Sequence, residues 1–347
     1  MQRVTILGLG LIGGSIGLGL RRWSDTNGPG GKSALDVTGF DTDLDQQQYA
    51  QKIKAVDRTA WDLPKAVRDA DLVVVCTPVA AMEETFTSIA PLLKAGAVVT
   101  DTGSTKADVL EWAKRLLPTT VSFVGGHPMA GKAQSIEAAE ADLFTGATWC
   151  VAPSVTAGDD AVRTVLGMIA ALGAEPYFID PHEHDAYVAG ISHLPFVISA
   201  ALMRATSTDP SWRDMKSLTA GGFRDVSRLA AGSPAMHRDI LLTNQAAITR
   251  WLDAYIATLT DLRHTLQTDR ERAAPALLDF FTQARDARAE WATQTTREGE
   301  LLHNTESELS PDGISDQMGR MLLGGFGRRR RAIAERGQRP NKPSPPP

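Results

Sequence analysis

Short β-branched runs separated by helix-length stretches dominate the first half of this 347-residue chain, and they restrict it to one class of fold. The runs are Val4–Leu7, Val37–Phe40, Leu72–Cys76, Ala97–Thr100, Val121–Val124 and Thr148–Val151. Each is apolar on both faces, as parallel strands covered by helices on either side must be. A helix over Asp159–Leu172 and a strand over Ala174–Ile179 extend the pattern, so a doubly wound α/β sheet runs to about Asp180. There the strands stop. Asp180-Pro181 reads as a helix start, with Asp as N-cap and Pro at the first helical position. Apolar residues at three- and four-residue spacing follow, among them Ile240, Leu241, Ile248, Trp251, Leu252, Tyr255 and Leu259. The expected organisation is a Rossmann-type domain over 1–180 and an all-helical domain over 181–295. Residues 296–347 carry little pattern and end in a basic, Pro-rich tail.

The glycines say what the sheet is for. Gly8-Leu9-Gly10-Leu11-Ile12-Gly13 matches G-x-G-x-x-G between a strand and a helix, the context that gives the motif meaning. Gly8 permits the tight turn, Gly10 the backbone approach to a pyrophosphate, and Gly13 close helix–strand packing. The free N–H groups at the helix start, Leu11 and Ile12 among them, then hold the diphosphate. Asp41 closes the next strand, where a carboxylate accepts hydrogen bonds from a ribose and repels a 2′-phosphate; no Arg or Lys follows it until Lys52. NAD is the expected cofactor. Asp41 lies further from the glycines than usual, and the Gly-, Asn- and Ser-rich segment 24–33 accounts for the excess. Thr77 and Ser104 sit in loops at later strand ends, on the ligand side of such a sheet. Ser104 also reads as a plain helix N-cap.

Composition excludes several classes. The final twenty residues hold seven Lys or Arg and one Glu, so the body carries −11 of the net −5, which argues against nucleic-acid binding. No run of about 18 apolar residues is evident, so no membrane span is expected, and no signal peptide is expected before the first strand. Cys76 and Cys150 fall in apolar runs and read as buried thiols of a cytoplasmic protein. His182, His184 and His193 raise the question of a metal. Nine residues at 3.6 per turn put His184 and His193 on opposite helix faces, so no metal is expected.

GLGLIGGS at Gly8–Ser15, DTGSTK at Asp101–Lys106, GGHPMAG at Gly125–Gly131, HD with ISHLP at His184–Pro195 and GGFRDVSRLA at Gly221–Ala230 occur in this order. Together they resemble the prephenate and arogenate dehydrogenases of tyrosine biosynthesis, over roughly residues 3–265. The resemblance implies NAD-dependent oxidation of prephenate at its hydroxyl-bearing ring carbon, with loss of carbon dioxide to give 4-hydroxyphenylpyruvate. It implies that His127 accepts the hydroxyl proton and that Ser104 hydrogen-bonds nearby and orients the histidine. It places His193 at the substrate and Arg228 on a substrate carboxylate, with Arg224 one helical turn earlier. Lys132 and His237 depart from the family pattern near the substrate side chain and leave the choice between prephenate and arogenate open. A homodimer through the helical region is implied as well. Two readings compete: another hydroxy-acid dehydrogenase of the same architecture, and a non-enzymatic NAD(H)-responsive protein. The first calls for a lysine on the helix after the sheet, and residues 181–203 contain none.

Overall fold

The computed structural model describes residues 2–27, 34–131 and 134–304, with side chains to residue 293. Lys132, residues 304–327 beyond Asn304, most of the 24–33 insertion and the basic tail lie outside the described residues. Two compact units result, residues 1–252 and 253–347.

The first unit is built on an eight-stranded sheet: β1 Gln2–Leu7, β2 Leu35–Phe40, β3 Arg58–Thr59, β4 Leu72–Val75, β5 Val98–Asp101, β6 Ser122–Pro128, β7 Thr148–Pro153 and β8 Glu175–Phe178. Its order is β3-β2-β1-β4-β5-β6-β7-β8, which makes β1/β4 the place where the strand order reverses. Ligands of such sheets bind at that crevice, beyond the carboxyl ends of the strands. The helices α1 Leu11–Asn27, α2 Leu44–Lys52, α3 Leu63–Val67, α4 Met82–Ile89, α5 Ala107–Leu116 and α6 Asp159–Ala171 cover it. Strand side chains alternate between two cores. Leu72 and Val74 join Ile6, Ile16, Val37 and Val124 on one face, whereas Val73 and Val75 join Leu7, Phe86, Val99 and Phe123 on the other.

All strand pairs are parallel except β6–β7, which is antiparallel with His127 opposite Cys150. This corrects the expectation of parallel βαβ units throughout. The chain between β6 and β7 carries one short 3-10 turn, Ile136–Ala138, and no crossover helix among its described residues. A parallel return needs such a crossover, so the chain comes back antiparallel. The new partner strand also extends β6 through Gly125, Gly126 and His127, which the sequence alone placed beyond the strand's end.

After β8, the side chain of Asp180 accepts hydrogen bonds from the His182 and Glu183 N–H groups, and Pro181 opens the next helix as expected. The helices α7 Pro181–Val188, α8 Leu194–Ser207, α9 Trp212–Met215, α10 Gly221–Ser227 and α11 Pro234–Thr243 follow, then α12 Gln245–Leu266 and α13 Arg270–Asn304. Residues up to Leu252 pack into the sheet-containing unit, with Ala189, Phe196, Ile240 and Ile248 forming a small core of their own. A wide turn, Ala189–His193, of π type joins α7 to α8. The continuous stretch Pro181–Ser207 is long and apolar enough to cross a membrane by length and composition (mean hydropathy 1.6), a feature the reading of the sequence missed. It carries buried His184, Asp185 and His193, whose polar atoms meet His127 of β6, Lys106 at the start of α5 and Asn244 between α11 and α12. The second unit holds the rest of α12 and α13, with Ile256, Leu259, Leu266, Leu278, Phe281 and Trp291 exposed.

Candidate active site

A cavity of about 1130 Å³ opens at the β1/β4 crevice. Gly8, Gly10, Leu11, Ile12, Asp41, Thr77 and Ser104 line one side, and Ala231–Met236, Asp239 and Ile240 the other. The turn that starts it is held by contact. Gly8 has φ +92°, in the left-handed region that favours glycine, and a Cβ there would meet the Cys76 carbonyl at 2.7 Å. A Cβ on Gly13 would lie 1.9 Å from the Gly8 carbonyl oxygen, so the helix seats directly on the turn. Gly10 differs: a Cβ there would meet no protein atom within 4 Å, so its backbone faces open space. Asp41 braces the turn itself, one carboxylate oxygen accepting the Leu9 N–H at 2.6 Å and the other the Asp43 N–H at 2.9 Å. Thr77 brings a buried Oγ1 with no hydrogen-bond partner to the same wall. An open glycine backbone, an orphaned hydroxyl and a carboxylate at the end of β2 fit a dinucleotide.

The same unit holds a buried polar cluster, whose His127, His184, Asp185 and His193 do not line the cavity. His127, at the end of β6, is 8% exposed, and its Nδ1 stands 2.8 Å from His184 Nε2. His184 Nδ1 in turn meets Asp185 Oδ1 at 2.7 Å. Asp185 also accepts the N–H groups of Lys106 and Ala107, at 2.8 and 2.9 Å, and so caps α5 from another helix. That is the role the sequence offered to Ser104, which lines the cavity and makes no cap bond. His184, not Ser104, is the hydrogen-bonded partner of the His127 ring. Burial, with His184, Lys106 and His193 nearby, holds the His127 imidazole well below its usual pKa.

Asp101 ties the two loops of the cluster together. Its carboxylate accepts the Gly103 N–H at 2.8 Å and the Gly126 N–H at 3.0 Å and pairs with the Lys106 ammonium, both side chains fully buried. Gly126 is required for that approach, since a Cβ would sit 2.6 Å from the Asp101 carbonyl oxygen.

His193 completes the corner. An inserted residue in a π turn shifts a helix's phase by one position, so the half-turn expected between His184 and His193 becomes roughly 80°. Both rings are consequently buried together, against the expectation that they part to opposite faces. Asn244 donates to the Asp185 carbonyl at 2.8 Å and lies 3.3 Å from His193 Nδ1. With Nδ1 as the acceptor, the proton sits on His193 Nε2, which is buried without a partner. Burial lowers the His193 pKa to about 4.

Other expected residues fall elsewhere. Arg224 and Arg228 are exposed, line no part of the cavity and make no ion pair among the described residues, so the structure does not bring them to His127. His237 stacks on Phe196, ring centroids 4.1 Å apart and planes 3° from parallel, so it packs rather than lines. Cys76 and Cys150 are free thiols, with pKa values raised by burial to about 12 and about 11. The sequence did not reveal that His184, Asp185, Asp101 and Asn244 meet. Its signals were present, in the HD dipeptide and the DTGSTK loop, but their partners lie tens of residues away.

Comparison with known proteins gives a consistent result. Residues 31–177 match the prephenate dehydrogenase nucleotide-binding domain and residues 180–283 the prephenate dehydrogenase dimerization domain. A prephenate dehydrogenase of Bacillus subtilis (strain 168) is 35% identical over 292 residues, covering 82% of this chain and 75% of that protein. The crystal structure of prephenate dehydrogenase from A. aeolicus in complex with hydroxyphenyl propionate and NAD+ superposes with a TM-score of 0.74 at 26% identity, covering 84% of this chain and 98% of the other. Synechocystis arogenate dehydrogenase superposes with a TM-score of 0.68 at 29% identity, over 84% of this chain and all of the other.

Proposed function

The chain belongs to the prephenate dehydrogenase family, and on that premise we propose that it oxidatively decarboxylates prephenate to 4-hydroxyphenylpyruvate with NAD as cofactor. The observation that carries the reading is His127: a nearly buried imidazole, kept neutral by its surroundings, near the end of β6 in the same unit as the glycine-lined cleft. NAD, when bound, supplies the acceptor for the hydride leaving the hydroxyl-bearing ring carbon. Gly8, Gly10, Leu11, Ile12 and Gly13 receive its diphosphate, Asp41 a ribose, and Thr77 and Ser104 the end nearest the chemistry. His127 takes the hydroxyl proton as the carbonyl forms, a task for a neutral imidazole. The bond to the ring carboxylate then breaks, and its electron pair completes the aromatic ring. His193, whose Nε2 is buried without a partner, is proposed to donate its Nε2–H to an acceptor on the substrate.

Arg228, three residues before the cavity-lining Ala231, is proposed to meet a substrate carboxylate, with Arg224 adding charge. Arg228→Ala is expected to raise KM for prephenate and leave NAD affinity unchanged; an unchanged KM would make it a solvated surface cation. Lys132, outside the described residues, and His237 are proposed to act near the substrate side chain. The exposed apolar residues of α12 and α13 support a homodimer with a helical interface, and the protein is proposed to be cytoplasmic. Likeness to an arogenate dehydrogenase favours a second substrate, whose amine replaces the side-chain ketone. NAD reduction assayed with prephenate and arogenate side by side decides. The expected result is turnover with prephenate, and no turnover with it would overturn the reading.

A further inference from the structure

We propose that His184 and Asp185 are positioning residues which fix the nitrogen on which His127 accepts the substrate proton, and which then take over that proton. The proposal rests on the reading of His127 as proton acceptor.

Hydrogen-bond bookkeeping along the buried chain permits one neutral arrangement. Asp185 already accepts two backbone N–H groups and, as a carboxylate, can only accept, so the 2.7 Å contact requires the proton on His184 Nδ1. A neutral His184 then presents a lone pair at Nε2. The 2.8 Å contact to His127 Nδ1 therefore requires the proton on that nitrogen. His127 Nε2 is left with its lone pair, since the one ring hydrogen bond of His127 among the described residues is made at Nδ1. It is the only ring atom from which His127 can act as a base.

The same chain accounts for the proton afterwards. The substrate O–H bond breaks and an N–H bond forms at His127 Nε2. The N–H bond at His127 Nδ1 breaks as one forms at His184 Nε2. His127 ends neutral, with its proton on Nε2, and His184 ends as an imidazolium against the Asp185 carboxylate. No oxidant or further reactant is involved. The charged groups around the path favour this transfer. His127 faces Lys106 and His193 as well as His184, and a positive charge held there is opposed by the buried ammonium, itself paired with Asp101. Asp185 faces His184, His193 and Asp108, and its carboxylate stands next to the imidazolium that forms.

The deciding experiment is ¹⁵N NMR of the full-length enzyme labelled at histidine, with His127→Asn and His184→Gln used to assign signals and for kinetics. In the wild type, His127 is expected to show a protonated, pyrrole-type Nδ1 and a pyridine-type Nε2. In His184→Gln that distribution is expected to become mixed. Its kcat is expected to fall by about 10²-fold, the low end of what general acid–base groups contribute, with KM for prephenate and NAD affinity changed little. A purely structural role for His184 would lower thermal stability without altering the tautomer. Finding the wild-type proton on His127 Nε2 would overturn the relay, and that spectrum needs no variant. So would near-normal kcat with an unchanged pH profile in His184→Gln. If His127→Asn itself keeps normal turnover, the base assignment fails first, and the two failures are distinguished.

Discussion

Two regions of the sheet-containing unit, the β1/β4 crevice and the buried cluster around His127, are built on opposite principles. The wall at the β1/β4 crevice is made by backbone and by missing side chains: Gly10 faces empty space and Thr77 carries an unsatisfied hydroxyl. The cluster around His127 is made of buried polar side chains bonded to one another and to nearby backbone: Asp101 to Lys106, His127 to His184, Asp185 to the Lys106 N–H, and Asn244 to the Asp185 carbonyl. An open wall of donors suits a ligand that brings its own charge. A closed network suits a reaction in which one atom must be held in one protonation state. The first should tolerate any change that leaves the backbone path intact, whereas the second should fail when one member is altered.

The largest effect is expected at the closed corner. Asp101→Asn leaves the buried Lys106 ammonium without its partner and should destabilise the fold by about 3–5 kcal/mol. Thermal melts check this; an unchanged Tm would mean the pair is not what joins the two loops. Within the open wall, Gly13→Ala and Gly10→Ala form a contrasting pair. The first forces a Cβ into the Gly8 carbonyl and should cost about 1–3 kcal/mol of stability or more, with NAD binding lost. The second should leave the melting temperature intact and weaken only NAD binding. Equal melting temperatures for both would break the comparison. The smallest effect is expected at Asp41, where replacement by Ser should narrow the preference for NAD over NADP measured as kcat/KM. Equal use of both cofactors by the wild type would remove Asp41 from that role.

The same contrast decides how much was legible in the sequence. The glycine turn, the strand runs and the Asp180-Pro181 helix start are local, fixed by spacing within a few residues, and the structure has them where the sequence put them. What the sequence concealed is long-range. The reversal of β7 goes with a connection after β6 that carries no crossover helix among its described residues. The joint burial of His184 and His193 depends on one wide turn at Ala189–His193, which no apolar period announces. His127 was recognisable as a site residue from its motif, but its partner was not, because His184 lies 57 residues further along the chain. Arg224 and Arg228 show the limit of local spacing: it places them one helical turn apart, yet it could not say which way they face, and both side chains are exposed.

The central claim is that His127 acts as a neutral base. Its buried surroundings lower its pKa below 6.5, so the proton-accepting form persists as pH falls through that value and is lost only at lower pH. The direct test is the pH dependence of kcat/KM for prephenate in the wild type and in His127→Asn. A wild-type acid limb displaced below pH 6.5 is expected. The variant should bind both substrates with little change, lose about 10²–10⁴-fold in kcat, and show no acid limb. Near-normal turnover in His127→Asn with the acid limb retained would contradict it and place the proton acceptor elsewhere.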